Sequence, residues 1–253
     1  MKKTLIALMA LAGVASAATL TQIATMDELA AASADIGSSV TKMTDYDKTT
    51  YSFTGAGSIL SITLPGVTEY ITGGTGYLTI AAWIQPTSTA EDSIFSIGGQ
   101  DTGFKFALKN GGLQVTTKGI ADTNVTCGNL GCDSIPADDW TMVAVTINLA
   151  QNGDSRFYMG TADGKFASRN LGTWNAVSGD DLKLAIGSGN CGGVRDGYDG
   201  MISNLTLFSS DGLVNNSDIA AKIGAAPVII PEPATATLSL LALAGLAARR
   251  RRK

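Results

Sequence analysis

Met142-Val143-Ala144-Val145-Thr146-Ile147 is the stretch on which the fold turns. In an extended chain Val143, Val145 and Ile147 share one face and Met142, Ala144 and Thr146 the other, because successive strand side chains point to opposite sides. The run is rich in β-branched residues, and its period of two predicts a strand with at least one buried face. Leu182-Lys183-Leu184-Ala185-Ile186 repeats the pattern. Outward from these, strands are expected at 50–53, 58–64, 77–85, 93–98, 104–109, 113–118, 140–149, 155–161, 182–187 and 200–209. Asn110-Gly111-Gly112 between two of them is a hairpin signal, since Asn and Gly accept positive φ. Short alternating runs between turn signals, with 30 glycines and only 6 prolines, describe an all-β antiparallel sandwich. Two short helices accompany it. Thr25-Met26-Asp27-Glu28 reads as a capping box opening a helix to about Ala32, and Ser217 caps a helix that stops at Gly224. Residues 18–48 have weak strand character and read as a loosely packed lead-in to a sandwich over 49–225.

The two ends have a different character. Met1-Lys2-Lys3, an apolar run from Leu5 to Val14 and Ala15-Ser16-Ala17 make a secretory signal peptide over 1–17, cut between Ala17 and Ala18 after Sec export. At the other end Pro231-Glu232-Pro233 precedes an uncharged run from Ala234 to Ala248, and four arginines and Lys253 close the chain. Those 15 residues rise about 22 Å as a helix, against about 30 Å of hydrocarbon, so the segment is a marginal anchor. Its terminal cations belong on the cytoplasmic side. The order of these features over 226–253 resembles the PEP-CTERM sorting signal. That resemblance implies a Gram-negative bacterium whose exosortase cuts near Pro231-Glu232-Pro233. The precursor is then anchored in the inner membrane only through its C-terminal helix, and the body goes to the cell surface or extracellular matrix.

Without its ends the chain is strongly acidic. Of 18 Lys+Arg, two at the start and five at the end are lost, leaving 11; of 22 Asp+Glu only Glu232 is lost, leaving 21, for a net charge of −10. Such a surface argues against nucleic acid as a partner. The chain has no histidine, which excludes Ser-His-Asp and Cys-His catalysis and histidine metal ligation. Its 3 cysteines in an exported chain imply one disulfide and one remaining thiol. Cys127 and Cys132 are the preferred pair, with Cys191 the alternative partner for either. About 210 residues suit one domain able to bury its own core.

Four segments, in order, resemble LamG-type domains of the concanavalin A-like superfamily. They are Tyr51-Ser52-Phe53-Thr54-Gly55, Leu78-Thr79-Ile80-Ala81-Ala82-Trp83-Ile84-Gln85-Pro86, Asp139-Trp140-Thr141-Met142-Val143-Ala144-Val145-Thr146 and Tyr198-Asp199-Gly200-Met201-Ile202-Ser203-Asn204-Leu205. The resemblance spans about 50–223 and implies a jelly-roll β-sandwich. Thr54 and Ser203 stand where the family often has an acid. Trp83 and Trp140 lie in apolar strands and are expected as core anchors.

The superfamily includes glucanases, which makes hydrolysis a candidate activity. A retaining glycosidase needs two carboxyl groups about 5 Å apart. Between the two ends the glutamates are Glu28, Glu69 and Glu91, in no matching spacing, and Asp138-Asp139 and Asp180-Asp181 read as solvated turns. No enzyme activity is expected. Trp174, Asn190, Arg195 and Tyr198, on or near glycine-rich loops, are the candidate carbohydrate-binding residues. Asp101, Asp196 and Asp199 are candidate calcium ligands; no cofactor is required. The leading expectation is a non-catalytic surface protein that recognises polysaccharide. The alternative is an adhesive matrix protein working through protein–protein contacts.

Overall fold

The computed structural model describes residues 18–55, 60–62, 65–98, 104–117, 120–125, 135–150, 155–172, 183–189 and 197–230. β1 (Thr21–Thr25) leads into α1 (Met26–Ala31), and β2 (Ser33–Ile36), β3 (Val40–Met43), β4 (Thr50–Phe53) and β5 (Leu60–Ile62) follow. After α2 (Pro65–Thr72) come β6 (Tyr77–Pro86), β7 (Asp92–Ile97), β8 (Phe104–Lys109), β9 (Gly112–Thr117) and β10 (Ile120–Val125). The remainder is β11 (Thr141–Asn148), β12 (Ser155–Thr161), β13 (Phe166–Gly172), β14 (Leu184–Ile186), β15 (Gly200–Ser210) and α3 (Asn216–Ile223).

These strands form two antiparallel sheets. The first runs β13-β12-β11-β6-β15-β4-β3, with β1 also on β15; the second runs β10-β9-β8-β7-β14-β5-β2. Met142 to Ile147 lie in β11, central in the first sheet between β6 and β12. Val143, Val145 and Ile147 face inward as their spacing dictates, meeting Ile80, Ile84 and Leu207 of neighbouring strands and Phe95, Phe104, Phe106 and Leu184 of the second sheet in one buried cluster. Each such side chain contributes about 1.5–3 kcal/mol of transfer free energy. Phe106 stacks on Phe157 across the two sheets at 5.9 Å between ring centroids. The β8–β9 hairpin turns on Asn110 (φ 50) and Gly111 (φ 75), both left-handed, as the Asn-Gly pair predicts.

Three expectations change. The lead-in is part of the sandwich: β1 pairs with the second half of β15, β2 with β5, and β3 with β4. Leu20, Ala24, Met26 and Leu29 are each 4% exposed or less, so this segment also fills the core. Its strands lie at sheet margins, where few side chains are buried and the alternation is faint; the burial of β1 reads exposed, exposed, half-buried, buried, half-buried. α2 and β10 and β13 were not anticipated from the sequence. The second predicted helix starts earlier than expected. Asn215 is its N-cap and Ser217 lies inside the first turn, although the helix does stop at Gly224. α1 does carry the capping box, with Thr25 Oγ1 accepting from the Glu28 N–H and Glu28 Oε2 accepting from the Thr25 N–H at 2.7 Å.

Candidate functional site

Most residues nominated from the sequence fall outside the described residues: Trp174, Asn190, Arg195, Asp101, Asp196, all three cysteines, Ala17 and Pro231-Glu232-Pro233. Tyr198 is described, and it is not a ligand platform. It has no solvent exposure, its ring meets the edge of Phe53 at 6.1 Å, and its hydroxyl donates to the Met201 carbonyl at 3.3 Å. Its backbone is clamped as well, Tyr198 N–H donating to Gly187 O at 2.8 Å. Burial, with Asp92 and Asp199 adding to it, pushes the phenol well above its ordinary value, so the group stays neutral. Asp199 is half-buried, and its carbonyl accepts from the Thr87 N–H (3.0 Å) and hydroxyl (3.2 Å). Among the described residues no three His, Cys, Asp or Glu side chains converge on a metal position. Ser203 is buried and bonded to Thr50 Oγ1 (2.9 Å) and Thr49 O (3.2 Å).

The two outer faces of the sandwich differ in chemistry. The outer face of the first sheet carries Ala81, Trp83, Met142, Ala144, Tyr158 and Phe208. Leu20, Val214, Ile219 and Ile223 cover it in a second apolar cluster. Two polar tips fasten that cover: Trp83 Nε1–H donates to Gly224 O at 3.1 Å and the Tyr158 hydroxyl to Val214 O at 2.8 Å. Trp83 is therefore a core anchor, whereas Trp140 is half-buried and stands edge-on to Tyr46 at 5.9 Å. The centre of this face is covered, while Phe166 stays exposed beside Met142 at the β13 edge.

The outer face of the second sheet is polar. Register places Gln114 opposite Ala107 and Ala107 opposite Ser93; the next row is Thr116, Lys105, Ser96 and Ala185. Ser93, Ser96, Ala107, Gln114 and Ala185 have no solvent exposure and Lys105 has 8%. Ser96 donates to Ser188 O at 2.8 Å. The Gln114 amide nitrogen and oxygen and the Ser93 hydroxyl meet no hydrogen-bonding partner among the described residues. A buried polar group left unsatisfied costs about 1–3 kcal/mol, so these three atoms call for a polar partner laid against the sheet. They form a polar floor, not an open groove. The sequence contained the signal: in Phe104-Lys105-Phe106-Ala107-Leu108-Lys109 the period of two puts Lys105, Ala107 and Lys109 on the side away from the core.

Beside this floor, among the described residues, three charged groups cluster. Glu91 accepts from Lys105 Nζ and Lys109 Nζ, each at 3.2 Å. Each carboxylate oxygen is thus engaged by its own lysine. Asp92 pairs opposite the inward-facing Leu108, so it falls on the core side near Tyr198. Asp138 and Asp139 are exposed in a turn. Over β7, β8 and β9 this face offers hydrogen-bonding groups beside the Glu91 cluster.

Comparison with known families decides the ancestry of this arrangement. The Laminin G family model described as the concanavalin A-like lectin/glucanases superfamily matches residues 60–219, well over half of the chain. The chain belongs to the concanavalin A-like lectin/glucanases superfamily. Solved structures agree on the superfamily's fold. The receptor binding domain of botulinum neurotoxin D superposes with a TM-score of 0.52 at 17% identity, over 75% of this chain and 46% of that one. The serotype G binding domain gives 0.51 at 14% identity, over 83% and 47%. The serotype D ligand binding domain in complex with N-acetylneuraminic acid gives 0.50 at 16% identity, over 75% and 45%. The chain thus spans less than half the length of these neurotoxin domains. No curated protein matches it.

Proposed function

We propose that this chain is an exported, non-catalytic surface or matrix protein whose sandwich binds carbohydrate. The observation that carries the reading is the contrast between the two outer faces. One is closed by an apolar cover, while the other holds Gln114 and Ser93, buried and with hydrogen-bonding capacity unmet among the described residues, beside Lys105. Planar amides and hydroxyls over a floor of small side chains suit sugar hydroxyls, which both donate and accept. Superfamily membership supports the same class of ligand, and a neurotoxin ligand binding domain that matches this fold over 45% of its own length has been solved with N-acetylneuraminic acid. Trp174, Asn190 and Arg195 remain the loop residues proposed to contact the sugar, with calcium at Asp101, Asp196 and Asp199 as an optional aid.

Export and sorting complete the proposal: Sec-dependent export with cutting between Ala17 and Ala18, then exosortase processing near Pro231-Glu232-Pro233. In its support, the body extends to the edge of both signals. Ala18 packs against the second apolar cluster, and the Ile230 N–H donates to Asp45 O at 2.7 Å. Among the described residues no helix is long and apolar enough to cross a membrane.

The test is retention of the full chain, in mild detergent, on immobilised polysaccharides with and without calcium. Retention on at least one, with no reducing ends released from soluble β-glucans, is expected. Passage through every column would favour the adhesive reading based on protein contacts. Release of reducing ends would make the protein an enzyme.

A further inference from the structure

We propose that a cleft at the pole of the sandwich opposite Tyr198 is a binding site for an uncharged oligosaccharide; this rests on the carbohydrate reading above and gives it a place and a ligand class. β15 and β6 pair from Gly200↔Pro86 at one end to Ser210↔Tyr77 at the other, which separates the two poles by about 30 Å. At the Ser210 end lies a cleft of about 430 Å³, within the range of small-ligand sites. Three distant pieces of chain build it: the start of β1, the α2–β6 turn and the end of β15.

Its lining combines the hydroxyls of Thr19, Thr21, Thr75 and Ser209 with the ring of Tyr70 and the carboxylate of Asp211. Thr19, Thr21, Thr75 and Asp211 are exposed, so their polar atoms are open to a ligand. The aromatic wall is held in place. Tyr70 donates its hydroxyl to Tyr77 O at 2.8 Å. Gly76, at φ +77, leaves room for it, since a Cβ there would stand 2.9 Å from the Tyr70 oxygen and 3.0 Å from Ser210 O. A wall fixed before the ligand arrives lowers the ordering cost of binding.

The chemistry of the lining selects the ligand. No lysine or arginine lines the cleft, and Asp211 repels a phosphate, sulfate or uronate. An apolar ligand would strand the hydroxyls of Thr19, Thr21 and Thr75 without water, Ser209 already donating to Thr21 O. A neutral sugar satisfies both, donating its hydroxyls to Asp211 in charge-assisted hydrogen bonds and exchanging hydrogen bonds with the threonines, with one sugar face on Tyr70.

The experiment is a calorimetric titration of the full chain in mild detergent with a neutral β-glucan oligosaccharide and, separately, a uronate-bearing one. Beside the wild type, Asp211→Ala combined with Thr75→Val is measured; both side chains are exposed, so its melting temperature should match the wild type. Binding of the neutral probe alone, weakened at least about tenfold by the double substitution, is expected from the loss of a hydrogen bond to a charged group. Unchanged affinity in the variant would remove the site from this cleft and leave the carbohydrate reading standing. Preference for the uronate probe would overturn the ligand class, and failure of the wild type to bind either probe or any polysaccharide column would overturn both readings.

Discussion

An aromatic residue on a glycine-rich stretch can be a stacking surface or a plug for the core, and Tyr198 is the plug. Its place against Phe53 predicts that Tyr198→Ala costs about 3–5 kcal/mol, as for a buried aromatic, whereas Tyr198→Phe costs about 1 kcal/mol, the net worth of one hydrogen bond. Thermal melts of the two variants decide this; a mild alanine variant would return Tyr198 to the surface. The same burial has a pH signature. Tyr158 and Tyr198 both have phenols raised by burial, so the folded state holds their protons more tightly than the unfolded state. The stability they contribute is fully present below the ordinary phenol value of about 10 and is lost as pH rises above it. Circular dichroism at rising pH should therefore show cooperative alkaline unfolding, less steep in Tyr198→Phe. Gln114 makes the opposite kind of prediction. Replacing its amide, unpartnered among the described residues, by Leu should leave stability equal or higher. A marked loss of stability in Gln114→Leu would mean that its partner is the protein itself.

At the scale of elements, the lead-in carries the clearest consequence. β1 continues the pairing along β15 where β4 leaves off: β4 covers Gly200 to Ser203 and β1 covers Thr206 to Ser209, on either side of a bulge. A chain shortened to begin after Met43 should not fold, because it exposes half of one β15 edge and empties the places of Leu20, Ala24, Met26 and Leu29; native far-UV and near-UV dichroism from such a chain would contradict this. Loss of the cap in Thr25→Ala should cost only about 1 kcal/mol. The contrast explains what sequence could reveal. β11 and β15 were legible because they lie inside a sheet, with inward side chains at every second position. β1 to β3 were not, because marginal strands bury few side chains and owe their place to partners far along the chain. The alternation of β8 places Lys105 away from the core but does not mark a polar floor, since Lys105 looks like any solvated strand residue until the register sets it among Ser96, Thr116 and Glu91. The cleft was beyond any local pattern: Thr19, Tyr70 and Asp211 meet only through the fold.

At the scale of the whole molecule, the fold and superfamily are settled, and function rests on where the polar groups lie. The centre of the first sheet's outer face is covered by an apolar cluster, the second sheet's is polar over β7, β8 and β9, and one pole carries an open hydroxylated cleft. With a net charge of −10 between its proposed cleavage sites, the body is suited to neutral ligands and unsuited to polyanions at long range. The distribution of polar groups therefore favours carbohydrate recognition without turnover. Its most direct test is a glycan array probed with the full chain, followed by size analysis of the bound oligosaccharides. Binding concentrated on neutral glycans, recovered at their original length, is the predicted result; an array with no bound glycan, or glycans recovered shortened, would contradict it.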